Sequence, residues 1–275
     1  MSLSSLIPIA YRKGWSRPRF QLASAWLGLF VCGFFVLQQA CAADNQKTLR
    51  VAAAADLQTV LPSLADAYEK ATGVKLLVSY GSSGTLATQI LNGAPMDIFL
   101  GADFVFPEKI VAAGLSDMTA PTAYAKGTLV LWARKDSPLQ PITVEKIGDP
   151  QVKSIAIADE AHAPYGRAAV SALKQLKLYE KVQPHLVIAE NVAQAGQYAE
   201  SGNAQMGLIS LTLAVSEHYK KLGTFVRVPT VYPAILQCAV VMKTERKADA
   251  HAFLDWLLTS EVQGKLQNYG LGAVR

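Results

Sequence analysis

Apolar residues in this chain come in short runs separated by polar turns, and the runs alternate between two spacings. Residues 49–55 (LRVAAAA) form a short, mostly apolar run closed by a turn, which predicts a buried strand. Leu57, Val60, Leu61, Leu64, Ala67 and Tyr68 then recur at helical spacing on one face. Pro62 falls inside that face, so the regular helix is expected to start near Thr59 after a distorted first turn. Gly73 ends it. The alternation continues with strands at 74–79 and 97–101, a helix opened by Gly81-Ser82-Ser83-Gly84 and another over 107–113. Further strands are expected at 128–133, 154–158, 186–189, 206–209 and 238–242. Helices are expected over 165–178, from Asn191 to about 201 and over 211–219, with two more at the end through Phe253, Trp256 and Leu257 and through Val262 and Leu266.

Strands and helices alternating at this spacing predict an α/β protein with mostly parallel sheets. Two lobes fit better than one large sheet. Residues 44–126 with 232–275 are assigned to lobe 1, and residues 127–231 to lobe 2. The chain is expected to cross between them near 124–127 and again near 231–233.

The first 43 residues follow a different rule. Arg12, Lys13, Arg17 and Arg19 form a basic stretch, residues 22–37 run almost without polar side chains, and Ala40-Cys41-Ala42 supplies a small-x-small cleavage pattern. Sixteen apolar residues fall short of the roughly 20 that span a bilayer as a helix. Residues 1–43 are therefore read as a cleaved export signal, and a periplasmic location is expected. A lipoprotein signal ending at Cys41 is the weaker alternative, because Gln38 and Gln39 are bulky and polar for that role.

Charge and cysteine content narrow the classes. The net charge of +5 comes mostly from the signal. Four of the 26 basic residues precede Asp44, which leaves 22 against 21 acidic ones, so a basic nucleic-acid surface is not supported. Cys238 stands alone in an apolar stretch and reads as a small buried hydrophobe. His162, His185, His218 and His251 are widely spaced and show no zinc-ligand pattern.

Four strand-to-helix turns carry the candidate chemistry: Ala54-Ala55-Asp56, Gly81-Ser82-Ser83-Gly84, Ala163-Pro164-Tyr165-Gly166 and Glu190-Asn191-Val192. Ligands of parallel α/β sheets bind beyond the carboxyl ends of the strands. A helix N-terminus there presents free N–H groups and suits an anion. Each turn also has a plainer reading: Ser83, Asp56 and Asn191 as helix N-caps, and Tyr165 as a packed aromatic with its hydroxyl in water. Asp97 and Asp103 are read as turn caps and lobe packing, Arg167 as a solvated charge, and Trp132 and Trp256 as core.

The segments VAAAADL, YGSSGTLATQI, GAPMDIFLGAD, KGTLVLWA, HAPYGRAAVSAL, ENVAQAGQYAESGNAQMGL, YPAILQCAVV and YGLG, in that order, resemble the periplasmic molybdate-binding proteins of ATP-binding-cassette transporters. The resemblance implies a two-lobed periplasmic-binding-protein fold (type II) with two hinge crossings. It also implies capture of molybdate or tungstate as a bare tetrahedral oxyanion, and delivery to a membrane permease driven by a cytoplasmic ATPase. No cofactor and a monomeric state are expected. By position, Ser83 would donate its hydroxyl and N–H, Val192 its N–H, and Tyr165 its hydroxyl. Ser83 and Val192 would thus meet the metal only through the oxyanion's oxygens. Ser210 stands where another subgroup of the family has its tyrosine. Ala55 and Asp56 stand where the family usually has a serine, or a threonine with asparagine.

Asp56 raises a physical question, since a carboxylate near a dianion in a poorly hydrated cleft repels it. Either Asp56 turns back to cap its own helix, or it accepts a proton from the ligand, which would favour hydrogen phosphate over molybdate or sulfate. A binding protein for phosphate or sulfate is accordingly the alternative function. An exported hydrolase is the rival class. It is disfavoured because Gly81-Ser82-Ser83-Gly84 lacks the spacing of a nucleophile elbow, and the sequence offers His162 no evident acid as a partner.

Overall fold

β1 (Thr48–Ala54) is apolar and buried from Val51 onward because that part lies inside a sheet covered on both faces. The computed structural model describes residues 47–274; the export signal expected over residues 1–43 lies outside them. Five strands, β1, β2 (Lys75–Gly81), β3 (Ile98–Gly101), β4 (Thr122–Gly127) and β10 (Ile235–Val241), form one sheet in the order β2-β1-β3-β10-β4. The other five, β5 (Leu129–Arg134), β6 (Ile155–Ala158), β7 (Leu186–Ala189), β8 (Met206–Ser210) and β9 (Gly223–Arg227), form a second sheet in the order β7-β6-β8-β5-β9. β10 runs antiparallel to β3 and β4, and β5 antiparallel to β8 and β9, while the other pairings are parallel. The reversed strand in each sheet is the one that follows a crossing between the lobes.

Side-chain alternation decides which helices cover which face. Leu49, Val51 and Ala53 pack with α1 (Leu61–Thr72) and with two helices that close the chain. Ala52, between them, points the other way and packs with α2 (Ser83–Leu91) and α3 (Val105–Ala112). The second sheet is covered by α4 (Pro164–Gln175), α5 (Tyr179–Val182), α6 (Val192–Ser201), α7 (Leu211–Ala214) and α8 (Glu217–Leu222), with Trp132 fully buried in its core. The two closing helices are α9 (Lys247–Leu257) and α10 (Ser260–Leu266).

Several elements depart from the sequence expectation. The distorted start expected before Pro62 is a separate 3-10 turn, Ala55–Thr59, that leaves β1 with no intervening loop residue. Pro62 then sits in the first turn of α1, where its missing N–H costs no bond. The helix expected over 211–219 is two short helices, because the Ser216 hydroxyl accepts from the Tyr219 N–H and starts a new one. Finally, β4 and β9 are strands that the apolar pattern did not predict; residues 124–127, expected to cross between the lobes, belong to β4.

The chain passes from the first sheet to the second between Gly127 and Leu129, and returns between Arg227 and Ile235. The two crossings are tied together: the Leu129 N–H donates to the Tyr232 hydroxyl at 3.0 Å. No helix among the described residues is long and apolar enough to cross a membrane.

Candidate functional site

The parallel register Ala54↔Gly81 brings the carboxyl ends of β1 and β2 level, so the turns that follow them emerge side by side. Ser82 is the N-cap of α2. Its hydroxyl accepts from the Thr85 N–H at 3.2 Å and donates to the Thr85 hydroxyl at 2.7 Å. Ser83, read from sequence as the simplest cap, is instead the first helical residue, and its N–H has no partner within the helix. Its hydroxyl oxygen accepts from the Ala102 N–H at 3.0 Å, which leaves the O–H free to donate. The side chain has no exposed surface.

On the opposite lobe α6 is built the same way. Asn191 caps it as expected, with Oδ1 accepting from the N–H groups of Ala193 (3.1 Å) and Gln194 (3.0 Å). Val192 is thereby the first helical residue, with its own N–H outside the helix ladder. α4 begins with Pro164, and Tyr165 follows it. The Tyr165 ring is buried, and its hydroxyl, expected in water on the plainer reading and on the oxyanion from the resemblance, donates its one proton to Asp56 Oδ2 at 3.1 Å. Gly127 makes room for this hydroxyl, since a Cβ there would collide with it and would lie 2.8 Å from Ile235 Cγ2.

Asp56 corrects the capping reading. It lies within the 3-10 turn, Ala54 occupies the cap position, and no side chain caps the turn. Because β1 runs straight into that turn, the carboxyl is carried toward β10 and α4. Oδ2 accepts from the Tyr165 hydroxyl and the Gln237 amide, and the backbone carbonyl accepts from the Thr212 hydroxyl at 2.7 Å. Oδ1 has no hydrogen-bond partner among the described residues, and neither has Gln237 Oε1, although both are buried. Burial pushes the Asp56 carboxyl up to about 7, against the opposing pull of the Gln237 and Tyr165 hydrogen bonds. Sequence reasoning missed Gln237; the available signal was a lone polar residue within the apolar β10 run ILQCAVV.

Ala55, Asp56, Ser83, Tyr165 and Val192, the five residues singled out from sequence, all line one small cavity of about 10 Å³ together with Ser82, Ala102 and Asn191. Among the described residues no lysine, arginine or histidine lines it. An anion held there would be met by N–H and O–H dipoles, not by opposite charge.

The lobes touch directly around this cavity. The Gly84 N–H donates to the His162 carbonyl at 2.8 Å, and Arg167 pairs with Asp103 while lying 5.0 Å from the Phe106 ring centroid. Arg167 is thus a cross-lobe partner and not the solvated charge expected. Asp103 also accepts from the Phe106 N–H at 3.3 Å, and Asp97 is held by Arg50 and Thr244, so both serve the turn and packing roles expected of them. His162 does have an acidic partner, since its Nδ1 lies 2.8 Å from Asp159 Oδ2. That ring is mostly exposed, and no hydrogen bond among the described residues joins it to Ser83. Cys238 is buried and free. Among the described residues no cluster of three or more His, Cys, Asp or Glu could hold a metal ion.

Two lobes joined by paired crossings, with helix N-termini from both opening on one cavity, define a solute-binding architecture. The family model for bacterial extracellular solute-binding proteins matches residues 49–272. The molybdate-binding protein ModA of Azotobacter vinelandii is 35% identical over 237 residues, covering 85% of this chain and 92% of that protein. ModA of Rhodobacter capsulatus is 35% identical over 208 residues, covering 74% and 79% respectively. Among solved structures, the Azotobacter vinelandii periplasmic molybdate-binding protein aligns with a TM-score of 0.77 at 32% identity, covering 82% of this chain and all of that one. The chain belongs to the bacterial extracellular solute-binding protein family.

Proposed function

We propose that this chain captures molybdate, and its near-isostere tungstate, outside the cytoplasmic membrane and delivers it to a membrane ATP-binding-cassette permease. One observation carries the reading: the first helical residues Ser83 and Val192, from opposite lobes, open on the same buried, cation-free cavity. The likeness to two ModA proteins supports molybdate as the cargo. Ser83 donates through its N–H and its O–H, Val192 through its N–H, and Ala55 borders the ion at the end of β1. Tyr165 and Asp56 close the remaining side as a hydrogen-bonded pair. Charge-assisted bonds of about 2.7–2.9 Å hold the oxygens, and the metal meets no protein atom directly.

On this reading the protein breaks no bond. Ser83 has its oxygen on the Ala102 amide, and no hydrogen bond among the described residues joins its hydroxyl to a base, so it acts as a donor and not as a nucleophile. The chain acts as an exported monomer without a cofactor, its residues 1–43 removed on export. Discrimination against sulfate follows from that ion's shorter bonds, which leave donors on facing lobes too far apart.

A thermal-shift panel with molybdate, tungstate, sulfate and phosphate tests the proposal, because a ligand that binds only the folded state raises the melting temperature. Large shifts with molybdate and tungstate and none with the other two are expected. A shift with phosphate or sulfate alone contradicts it.

A further inference from the structure

Asp56 is an acid in a site built for an anion. It lines the cavity beside Ser83 and Val192, it has no exposed surface, and no basic side chain shares the lining. A carboxylate there would repel any oxyanion, and burial weakens the screening that solvent gives an exposed pair. The arrangement of donors offers a way out. Tyr165 and Gln237 both donate to Oδ2, which leaves Oδ1 as a buried oxygen without a partner. An unpartnered buried acceptor is costly, whereas a protonated Oδ1 becomes one more donor for an anion.

We propose that Asp56 binds the oxyanion as a neutral carboxylic acid, with its proton on Oδ1, so that one solvent proton is taken up with each anion captured from neutral or alkaline solution. The inference rests on the oxyanion reading of the cavity and deepens it. The balance is simple: carboxylate plus proton plus dianion gives a bound acid–dianion pair, with no bond to the metal made or broken. The surroundings agree. The titratable groups facing Asp56 are Tyr165 on α4 and Tyr124 on β4, both phenols that burial pushes well above their ordinary range, so both stay neutral. β10 contributes Gln237 and α7 contributes Thr212, neither of them titratable. Arg167, two residues from Tyr165, is engaged by Asp103.

Calorimetric titration of the mature protein with sodium molybdate, at about pH 6 and about pH 8.5, tests this. Each pH is run in two buffers of contrasting ionisation enthalpy. Molybdate carries no titrating proton in this range, so any proton uptake belongs to the protein. With the free carboxyl titrating near 7, the expected Kd rises roughly 30-fold between the two pH values. Proton uptake is expected to go from near zero at the lower pH to nearly one at the higher. Asp56→Asn, which keeps a neutral donor, is expected to change less than about threefold across the range with no uptake. Infrared difference spectra of the unmutated protein give an independent readout: molybdate added at about pH 8.5 should generate a protonated-carboxyl C=O stretch. A pH-independent Kd with no proton uptake and no such band overturns the inference and leaves the oxyanion reading intact. No binding of molybdate or tungstate at either pH overturns that reading and the inference with it.

Discussion

The hydroxyl of Tyr165 lies 3.1 Å from Asp56 Oδ2, although 109 positions separate the two residues and they come from different lobes. With Gln237 donating to the same oxygen and Thr212 to the Asp56 backbone carbonyl, Asp56 becomes the residue where β10, α4 and α7 meet.

Tyr165→Phe keeps the buried ring and removes the donor. A buried carboxyl that loses one of two donors is expected to cost about 1–3 kcal/mol, read from denaturant unfolding. Because the Tyr165 bond holds the Asp56 carboxyl down, its loss should raise the midpoint of any Asp56-linked titration. A midpoint that stays put would separate Tyr165 from Asp56 energetically.

Asp56 makes stability pH-dependent with a definite sign. Its folded value, near 7, is above the ordinary 3.8. Below 3.8 the group is protonated in both states and costs nothing. As pH rises toward 7 the unfolded chain releases the proton while the folded chain keeps it, so stability falls; above 7 the full cost remains. Asp56→Asn is therefore expected to gain about 2–3 kcal/mol relative to the parent on going from about pH 5 to about pH 8. Chemical denaturation at the two pH values checks this, and an equal difference at both would contradict it.

Ser83→Ala removes a donor from the cavity and an acceptor from the Ala102 N–H. A hydrogen bond to a charged acceptor contributes about 1.5–3 kcal/mol, so molybdate affinity should fall roughly 10- to 150-fold. Unchanged affinity in a titration would take Ser83 out of the site.

Gly84→Ala tests closure of the lobes. A Cβ at Gly84 would lie 2.9 Å from both Cα and O of His162 and 2.8 Å from Phe106 Cζ. The His162 backbone cannot swing aside as a side-chain tip can, so the lobes should part. We expect a larger radius of gyration in small-angle scattering and at least a tenfold loss of molybdate affinity, with both lobes still folded.

Much of this was legible in the chain. β6 and the second half of β1 are continuous apolar runs because both their faces are covered, and caps such as Asn191 act within three residues of their own position. β4 and β9 escaped notice because they are edge strands, partly exposed, and carry no continuous apolar run. The four turns of the site could be found because each ends a strand and opens a helix. The fate of Asp56 could not, because it depends on Gln237, 181 positions away, and local pattern favours the nearer capping role. Arg167 was misread for the same reason: its partner Asp103 lies in the other lobe, 64 positions earlier.

The most direct measurement is a crystal structure grown with tungstate, which has the size and charge of molybdate and a strong anomalous signal. One anomalous peak in the cavity is predicted, its oxygens about 2.7–3.1 Å from Ser83 Oγ, the Ser83 N–H and the Val192 N–H. A peak bound only at the surface, or one ligated directly by protein side chains elsewhere, would contradict the account.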